Sequence, residues 1–530
     1  MRQLFEKSFH RRLKNLHWET AEQPVGRFCY FLNVSMAGAG RNVPPYFKEP
    51  TSVMDFKGRL RLESASGTLC DCYFIEESQS EHLFENLRRA LGALITDADN
   101  TGTRDIQIFC HIQTKSSLTT QSPSNSSTSP ASSSTGPSPA QNSQHPLIPS
   151  PVLLGTIAEA LESACYSARV LSDEKDLRIT LKLPPSFCND LPTQAIDNAI
   201  NEGLRRGRAF NFARYLGDLP GNVLTPQALA QEAGERLKNY GTVKIFNEKE
   251  LVAQEFGGLL AVAQGSKNRP QLVTFESTCR NPQKSVVLIG KGITFDTGGY
   301  SVKGKQHHNE MKYDMCGAAN TIAALEVLAP LLPNTRLIGI LPLAENMISD
   351  EAQRPGDVYR AHNGKLIEVY NTDAEGRLIL ADALSYAGSF QPDLIIDIAT
   401  LTGGTAQIAG NLAAIMCTND DTLIPLVRAA GRRAGEKFIH LEIVEDAIED
   451  MKSDVADYTN MHNKWSAGAP TMYAAAFLKE FVPAKTRWIH LDIANMAWCG
   501  RNASYLRGRG ATGFGARTLV NITQAYCASE

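Results

Sequence analysis

The chain has 530 residues, 53 of them Lys or Arg and 56 Asp or Glu, and a formal net charge of −3. At about 150 residues per domain, this length predicts two to four domains. Hydrophobic residues make up 43% and charged residues 21%, which excludes collagen-like repeats and wholesale disorder. The near-neutral charge predicts no general attraction to nucleic acids or anionic lipids, and no apolar run approaches the roughly 18 residues of a membrane span. The 11 scattered cysteines form no CxxC pair, which favours a reducing compartment.

Residues 1–24 form a basic N-terminal segment. Residues 2–14 carry five Lys or Arg against one acid, Glu6, with leucines and phenylalanines at helical spacing. This pattern fits a mitochondrial presequence, or else an ordinary surface helix or a frayed basic terminus. We favour the surface helix or frayed terminus over targeting, because serine is sparse and Glu6 interrupts the positive charge.

Residues 114–151 consist of Ser, Thr, Pro, Asn and Gln with almost no apolar side chains. Such a composition cannot offset the entropy lost on ordering, so the sequence predicts a disordered insertion. Strand-like runs at 28–34 and 105–112 precede it, and apolar residues at helical spacing in 153–171 follow it. We therefore place the insertion inside an N-terminal α/β domain over 25–194, with a true interdomain linker as the alternative.

The rest of the chain alternates between predicted strands and helices. A helix over 195–216 ends at the breaker Asp-Leu-Pro-Gly of 218–221, so we expect a connecting helix at 195–218 and the main domain boundary near 218. Beyond it, predicted strands cover 286–289, 337–341, 366–370 and 394–398, and predicted helices cover 318–332 and 378–387. This alternation predicts a larger α/β domain over 219–530, built on a mainly parallel sheet with helices on both faces.

Polar side chains crowd the carboxyl ends of two predicted strands, the edge at which parallel sheets bind ligands. After 286–289 come Lys291, Asp296, Lys303 and Asp314, and after 366–370 come Asn371, Asp373, Glu375 and Arg377. Four converging carboxylates would repel one another unless they were protonated or held cations, and oxygen ligands favour Mg²⁺, Mn²⁺ or Zn²⁺. Two such ions about 3.5–4 Å apart can activate water and polarise a carbonyl, so the cluster predicts hydrolytic chemistry. Any one of these acids alone is better explained as a solvated loop charge.

The run Asn371-Thr372-Asp373-Ala374-Glu375-Gly376-Arg377-Leu378 resembles the signature octapeptide of the leucyl aminopeptidase family, the two-metal cytosolic exopeptidases. Residues 291–299 (KGITFDTGG) resemble the family's other metal-binding loop. The tracts 490–494 (HLDIA) and 510–515 (GATGFG) resemble its C-terminal landmarks. The resemblance covers the chain from about Phe210 onwards, and Tyr300 after the double glycine is similar to the peptidase B-like branch.

This resemblance implies a role for each site residue. A tightly bound metal ion would be held by Lys291, Asp296, Asp314 and Glu375, and an exchangeable one by Asp296, Asp373 and Glu375. The ions would be Zn²⁺ or Mn²⁺, with Mg²⁺ or Co²⁺ as alternatives. Lys303 would polarise the scissile carbonyl and stabilise the oxyanion, and Arg377 would hold a bicarbonate that acts as the general base. The positions matching the side-chain pocket are Met311, Asn371, Thr400, Leu401 and Gly403, of which Met311 and Leu401 would favour an apolar first residue.

The resemblance implies a metal-dependent aminopeptidase of peptide catabolism that releases Leu or another apolar residue from the N-terminus of short peptides. It also implies a cytoplasmic homohexamer, and the basic N-terminal segment keeps a mitochondrial location as the alternative. The charge and the lack of a long apolar run predict no membrane partner and make a nucleic-acid partner unlikely. A nucleic-acid-binding scaffold is a second hypothesis, since some bacterial relatives bind DNA, but the near-neutral charge and complete ligand set disfavour it. A dinuclear phosphatase is a third, and it lacks a His-rich ligand set or a phosphate-binding loop.

Three further observations bear on alternative cofactor and metal sites. The pattern Gly508-x-Gly510-x-x-Gly513 matches a dinucleotide-binding fingerprint, but no buried strand precedes it and no ribose-binding acid follows it. No HExxH motif occurs, which excludes the single-zinc helix metalloproteases. His307 and His308 lie in a stretch that varies in the family's loop, so we expect neither to bind a metal.

Overall fold

A computed structural model describes residues 13–20, 29–36, 59–63, 69–77, 83–100, 105–112, 150–166, 177–183, 191–462, 468–499 and 510–529. Two thirds of the basic N-terminal segment and nearly all of the Ser- and Pro-rich insertion lie outside these residues, so the expectations for them stay predictions. The described part of that segment, Leu13–Thr20, is a strand that pairs with Leu177–Leu183, so the surface helix is wrong for these eight residues. The described residues divide into two compact units. The smaller unit falls within Leu13–Leu161 and Asp176–Leu204, and the larger within Glu162–Lys175 and Arg205–Glu530.

The smaller unit is an α/β domain with a six-stranded sheet in the order β1-β6-β5-β2-β4-β3. Its strands are β1 (Leu13–Thr20), β2 (Cys29–Met36), β3 (Arg59–Glu63), β4 (Leu69–Glu77), β5 (Asp105–Ile112) and β6 (Leu177–Leu183). All neighbouring strands are parallel except β3 with β4. Helix α1 (Leu83–Asn100) buries Leu87, Leu91, Leu94 and Ile95, a spacing that places them on one face. Helix α2 (Ser150–Cys165) begins in this unit.

The boundary between the units differs from the one predicted near 218. It lies at Leu204–Arg205, inside the long helix α3 (Thr193–Asp218). The reason is that the last turns of α3 bury Phe210, Phe212 and Leu216 in the core of the larger unit. The breaker at 218–221 ends the helix but does not divide the units.

The larger unit contains the other helices and strands. Its helices are α4 (Pro226–Leu237), α5 (Glu248–Ala253), α6 (Gly257–Ala263), α7 (Cys316–Leu328), α8 (Gly376–Ala387), α9 (Gly404–Ala409), α10 (Ile424–Ala434), α11 (Glu445–Glu449), α12 (Pro470–Lys479) and α13 (Ala516–Ala528). Its strands are β7 (Gly241–Phe246), β8 (Gln271–Ser277), β9 (Lys284–Gly290), β10 (Gly292–Asp296), β11 (Thr335–Asn346), β12 (Val358–Arg360), β13 (Leu366–Glu368), β14 (Leu394–Ala399), β15 (Ala414–Thr418), β16 (Phe438–His440), β17 (Tyr458–Thr459), β18 (Arg487–Asp492), β19 (Trp498–Cys499) and β20 (Gly510–Ala511).

A nine-stranded sheet in the order β16-β15-β18-β14-β9-β11-β8-β7, with β10 beside β11, forms the centre of this unit among the described residues. The central strands β18, β14, β9 and β11 are parallel, and β8 and β7 are antiparallel additions at one edge. In β9, Val286 and Leu288 face one core, and Val287 and Ile289 face the other. This alternation explains the continuous apolar run, because both faces of the strand are buried.

Helices cover both faces of this sheet, as the sequence predicts. Residues of α4, α7, α10 and α13 contribute to one core, and residues of α6, α8 and α12 contribute to the other. In the part of the chain that the structure describes, no helix is long and apolar enough to cross a membrane. The fold is therefore α/β, with a doubly covered and mostly parallel sheet in its larger unit.

One predicted strand lies outside the main sheet. The run at 366–370 forms only the short β13 (Leu366–Glu368), which pairs with β12 and β17 in a separate three-stranded sheet. Its pattern explains the difference: Ile367 is buried but both neighbours are only partly buried, whereas β9 is buried on both faces. Asn371 and the residues after it therefore reach the site from a loop and not from the end of a central strand.

Candidate active site

The candidate site lies at the carboxyl edge of the central strands. Lys291 directly follows β9, and Asp296 is the last residue of β10. Asp314 follows a short 3₁₀ helix at His308–Tyr313, just before α7 begins, and Glu375 immediately precedes the first residue of α8. Lys291 N donates a hydrogen bond to the Ile398 carbonyl at 3.1 Å, which ties the loop after β9 to β14. Residues far apart in sequence thus converge on one edge of the sheet.

Carboxylates and lysines alternate within this cluster. Asp296, Asp314 and Glu375 are buried, and each offers an oxygen within 4.8 Å of the others. The Lys291 ammonium lies 2.8 Å from Asp314 Oδ1 and 2.9 Å from Glu375 Oε1. A second ammonium, that of Lys303, lies 2.7 Å from Asp296 Oδ2 and 2.5 Å from Asp373 Oδ1. The structure therefore brings together six of the charged residues singled out in the sequence.

Burial and mutual repulsion shift the pKa values of the carboxylates. Burial raises the pKa of Asp296 and that of Asp314 above the ordinary range, and the neighbouring Glu375 carboxylate raises both further. Burial and then the charges of Asp296 and Glu375 raise the pKa of Asp373 to about 7. For Glu375, burial also raises the pKa, but Lys291 and Lys303 outweigh it and the net direction is downward. Two ammonium groups do not neutralise four carboxylates, so the site favours further positive charge.

Both lysines are held in their charged form. Burial by itself would lower the pKa of Lys291, but the nearby Asp314, Glu375 and Asp296 carboxylates outweigh it and raise the pKa above the usual lysine range. The pKa of Lys303 is raised in the same way, against a lowering by burial. An ammonium group has no lone pair, so Lys291 can act as a metal ligand only after losing its proton, which a bound dication can enforce.

The donor set fits a divalent cation. Asp314 Oδ1 accepts hydrogen bonds from Lys291 Nζ and, at 2.7 Å, from Thr400 Oγ1. Its second oxygen, Oδ2, is buried without a hydrogen-bond partner among the described residues. A buried carboxylate oxygen without a donor is costly, and a cation would satisfy it. An oxygen-rich set of this kind is typical of Mg²⁺, Mn²⁺ or Zn²⁺ sites.

Arg377 adds a buried cation beside this cluster. It lies in the first turn of α8, and its Nη1 donates to the Asn460 carbonyl at 2.8 Å. Burial lowers the pKa of its guanidinium to about 10, so the group stays protonated at neutral pH. Its Nε is buried and has no hydrogen-bond partner in the described ranges. The side chain is chemically suited to hold an anion.

The five residues matched to the side-chain pocket differ in how firmly they join the cluster. The Thr400 carbonyl accepts a hydrogen bond from Lys291 Nζ at 2.7 Å, and Asn371 Oδ1 accepts one from Asp373 N at 2.7 Å. Next to Thr400, Leu401 is partly buried. Gly403 is exposed and lies three residues after Thr400, and Met311 is partly buried and lies three residues before Asp314.

Three polar residues that the sequence analysis did not single out hold the loops of the site. Asn346 Nδ2 donates to Asp296 Oδ1 at 2.8 Å. Asp492 Oδ1 accepts from the Leu401 backbone N at 3.1 Å, and Asn460 Oδ1 accepts from the Asn371 backbone N at 3.1 Å. Asn346 and Asp492 end β11 and β18, where the same argument from strand ends could have found them. Asn460 follows the short β17 and has no such signal in the sequence.

Comparisons with known proteins agree with this arrangement. The family model described as "Cytosol aminopeptidase family, catalytic domain" matches residues 211–520. The chain is 42% identical over 362 residues to a probable cytosol aminopeptidase of Bdellovibrio bacteriovorus, covering 67% of this chain and 71% of that protein. It is 43% identical over 336 residues to a probable cytosol aminopeptidase of Chlorobaculum tepidum, covering 63% of this chain and 66% of the relative.

Solved structures resemble the chain over nearly all of its length. The bottromycin maturation enzyme BotP in complex with Mn matches with a TM-score of 0.76 and 29% identity, covering 94% of this chain and 99% of BotP. A mutant of tomato leucine aminopeptidase matches with a TM-score of 0.77 and 25% identity, covering 97% of each chain.

The sheet, the charged cluster and these matches define a metal-dependent exopeptidase, a hydrolase that acts on the N-termini of peptides. The chain belongs to the cytosol aminopeptidase family, the leucyl aminopeptidase family that the octapeptide 371–378 indicates.

Proposed function

We propose that this aminopeptidase hydrolyses the first peptide bond of short peptides with two divalent ions. The observation that carries the proposal is the convergence of buried carboxylates on two lysines at one edge of the sheet. The residues that would hold the ions are Lys291, Asp296, Asp314, Asp373 and Glu375. When bound, the ions would supply an activated water and a polarised carbonyl. Zn²⁺ and Mn²⁺ are the leading candidates, with Mg²⁺ or Co²⁺ as alternatives, and the Mn complex of the similar BotP supports manganese.

The two ions would differ in how readily they exchange. Lys291 and Asp314, assigned to the tightly held ion, expose only 2% and 6% of their side chains. Asp373, assigned to the exchangeable ion, exposes 30%. Asp296 and Glu375 would bridge the ions, and both are buried. The difference in exposure between Asp373 and Asp314 supports this division, because a more exposed ligand gives an ion a shorter path to solvent.

Lys303 would act on the substrate carbonyl. Its ammonium is charged, 18% exposed and forms ion pairs with the carboxylates of Asp296 and Asp373. If those carboxylates held cations, their attraction for the ammonium would be weaker, and Lys303 would then be able to donate to the carbonyl oxygen. The same donor would stabilise the negative charge that develops on this oxygen in the transition state.

Arg377 would position the general base. Its unpartnered Nε and retained positive charge suit a small planar anion, and the base that we propose there is bicarbonate. Arg377 would hold the bicarbonate, which would supply the general-base chemistry for the attacking water and the leaving amine. The guanidinium would keep the anion in place throughout, since the side chain is buried and anchored on Asn460.

We propose a preference for Leu or another apolar first residue. Leu401 and Met311 would supply the apolar surface of the pocket. Leu401 Cδ1 lies 2.9 Å from the position of a Cβ at Gly376, and a Cβ at Gly403 would meet nothing within 4 Å, so space is available there. Asn371 and Thr400 would border the pocket, since both are hydrogen-bonded into the site. The free amino group of the peptide would bind at the charged cluster, which restricts cleavage to the first residue.

We also propose that the enzyme acts in the cytoplasm as a homohexamer in peptide catabolism. The printed names of the relatives, cytosol aminopeptidases, support the location, and the comparisons give no support to the mitochondrial alternative. The hexamer follows from the resemblance to the leucyl aminopeptidase family, and light scattering of the purified protein tests it.

Hydrolysis of aminoacyl anilides tests the proposed activity directly. The chelated protein is assayed with leucyl, arginyl and glutamyl anilides, alone and after addition of Mn²⁺, Zn²⁺, Co²⁺ or Mg²⁺. We expect activity only with metal and the highest kcat/KM for the leucyl substrate. A glutamyl or arginyl substrate preferred over the leucyl one would overturn the apolar pocket, and no hydrolysis with any metal would overturn the catalytic proposal.

A further inference from the structure

Asn346 is a buried polar residue that contacts a proposed metal ligand. It ends β11, pairs in register with Asp296 on β10 and is 1% exposed. Its Nδ2 donates to Asp296 Oδ1 at 2.8 Å and to the Thr372 carbonyl at 3.0 Å. The backbone carbonyl of Asn346 accepts hydrogen bonds from the backbone N of Thr297 at 2.9 Å and from Thr297 Oγ1 at 2.8 Å. A single side chain thus contacts both ligand-bearing loops, the one after β10 and the one before α8.

The hydrogen bonds to Asp296 decide which of its oxygens faces the cluster. Oδ1 is engaged by two N–H donors, Asn346 Nδ2 at 2.8 Å and the Gly298 backbone N at 2.9 Å. Oδ2 lies instead 2.7 Å from Lys303 Nζ. If the donor at Asn346 were lost, one of the two contacts that hold Oδ1 away from the cluster would be lost, and the carboxylate could rotate.

The contact with Thr372 couples the loops themselves. Thr372 lies between Asn371 and Asp373, and its Oγ1 accepts from the Ser301 backbone N at 2.8 Å and donates to the Gly298 carbonyl at 2.6 Å. A bond from Asn346 to the Thr372 carbonyl therefore fixes Asp296 and Asp373 relative to each other. These two residues are two of the three carboxylates that we assign to the exchangeable ion.

An amide suits this position electrostatically. A lysine here would add a charge that repels cations, and an aspartate would add a fifth carboxylate and remove the donor. An asparagine supplies two N–H groups without changing the charge of the site. The missing side chain of Gly299 leaves room for the Asn346 amide, because a Cβ at Gly299 would lie only 3.0 Å from Asn346 Oδ1.

We infer that Asn346 is a positioning residue that orients Asp296 and sets the spacing of the two ligand loops, and thereby determines the affinity for the exchangeable metal ion. This inference rests on the proposed two-ion site. Partners of metal ligands typically contribute 10–100-fold to metal affinity. Asn346 touches neither substrate nor reacting atoms in this account.

Mn²⁺ binding to the chelated full-length protein tests the inference without relying on activity. Free Mn²⁺ is measured by electron paramagnetic resonance during titration of the wild type, Asn346→Ala and Asn346→Ser. The control is Asn320→Ala, since Asn320 is also 1% exposed and donates to the Phe514 carbonyl at 2.7 Å, away from the ligands. We expect the weaker of the two Mn²⁺ ions to bind about 10–100-fold less tightly in Asn346→Ala. In Asn346→Ser a hydroxyl replaces the amide as a hydrogen-bond donor, so we expect a smaller loss of Mn²⁺ affinity.

The outcomes separate this inference from the proposed function. A wild type that binds fewer than two Mn²⁺ ions overturns the two-ion site, whatever the variants do. Two ions in the wild type and unchanged affinity in Asn346→Ala overturn the role of Asn346 alone. An equal loss in Asn320→Ala also overturns it, because the effect would then follow from general destabilisation. If Asn346→Ala does not fold, Asn346→Ser decides, and an affinity equal to that of the wild type contradicts the inference.

Discussion

Gly376 and Lys291 are packed so closely that no side chain fits at position 376. A Cβ there would lie 2.6 Å from Lys291 Cε and 2.7 Å from Lys291 Nζ. The lysine cannot move aside freely, since it is 2% exposed and its ammonium contacts Asp314 and Glu375. The glycine of the octapeptide 371–378 therefore provides the space in which the Lys291 ammonium reaches the carboxylates.

We expect Gly376→Ala to displace the Lys291 ammonium from the cluster. The change should weaken Mn²⁺ binding and lower kcat by at least about tenfold, while overpacking lowers the free energy of unfolding by about 1–3 kcal/mol. Gly468→Ala is a matched control, because a Cβ at Gly468 would meet nothing within 4 Å. Metal titration and leucyl-anilide kinetics on both variants measure the effect. Wild-type metal affinity and turnover in Gly376→Ala would contradict this expectation, because the Lys291 side chain would then accommodate the added methyl group without leaving the carboxylates.

Lys303 and Arg377 should affect turnover far more than metal content. In our account neither residue binds an ion, and each acts on charge that develops during the reaction. Removal of one positioned donor typically costs about 10²–10³ in rate, so we expect losses of that size in Lys303→Ala and Arg377→Ala. Asp296→Ala and Glu375→Ala should lose metal and activity together, because each removes a bridging ligand.

Metal content by atomic emission, measured beside steady-state kinetics, distinguishes these two classes of variant. If Lys303→Ala loses metal in proportion to its activity, Lys303 helps to hold the ions and our assignment is wrong. The same assignment fails if Lys303→Ala keeps full turnover.

Glu162, a partly buried acid of α2 outside the active site, should make stability depend on pH. Burial raises its pKa to about 7. The charge of Arg208, whose Nε lies 3.8 Å from Glu162 Oε2, lowers the pKa and offsets the effect of burial only in part. The ordinary pKa of a glutamate is 4.5, so between about pH 4.5 and pH 7 the folded protein binds a proton that the unfolded chain has released. The stabilisation is complete below the lower value and is lost as the pH rises through the higher one. This loss amounts to about 3 kcal/mol.

Glu162→Gln should remove this dependence, because the amide stays neutral. We expect the variant to unfold within about 1 kcal/mol of the wild type near pH 5 and to be more stable by about 3 kcal/mol near pH 8. Urea unfolding of both proteins at the two pH values gives the comparison. A difference in unfolding free energy that is the same at both pH values would contradict the raised pKa of Glu162.

Excision of residues 116–143 should leave the enzyme nearly unchanged. The segment has almost no apolar residues to pack, and the entropy of closing a loop changes only slowly with its length. We expect the melting temperature and kcat/KM to stay close to those of the intact protein. A failure to fold, or a loss of activity of about tenfold or more, would show that these residues form contacts that matter.

The elements that the sequence predicted well are those with strong apolar patterning on both faces or on one helical stripe. The run at 286–289 lies within β9, and the helix expected at 378–387 is α8, two residues longer at its start. The prediction that 366–370 is a strand of the main sheet was wrong, because a short apolar run does not reveal which sheet a strand joins. The unit boundary inside α3 was missed for a similar reason: a helix signal does not show which core each turn enters.

The candidate site was predictable where a motif or a strand end marked it. The lysines and carboxylates of the loop after β9 and of 371–378 meet as expected. Asn346 escaped notice because its importance lies in a hydrogen bond to Asp296, a residue 50 positions away. Asn460 likewise acts through the backbone of a loop 89 positions away. Such contacts depend on the folded geometry, and no local pattern in the sequence encodes them.

Stepwise reloading of the chelated protein with Mn²⁺ tests the central claim most directly. Leucyl-anilide hydrolysis and bound Mn²⁺ are measured together, for the wild type and for Asp373→Ala. We predict no activity without metal, two ions per chain at full activity, and one retained ion with greatly reduced turnover in Asp373→Ala. Full activity in wild-type protein freed of metal, or an Asp373→Ala variant that binds two ions and turns over normally, would contradict the two-metal aminopeptidase site.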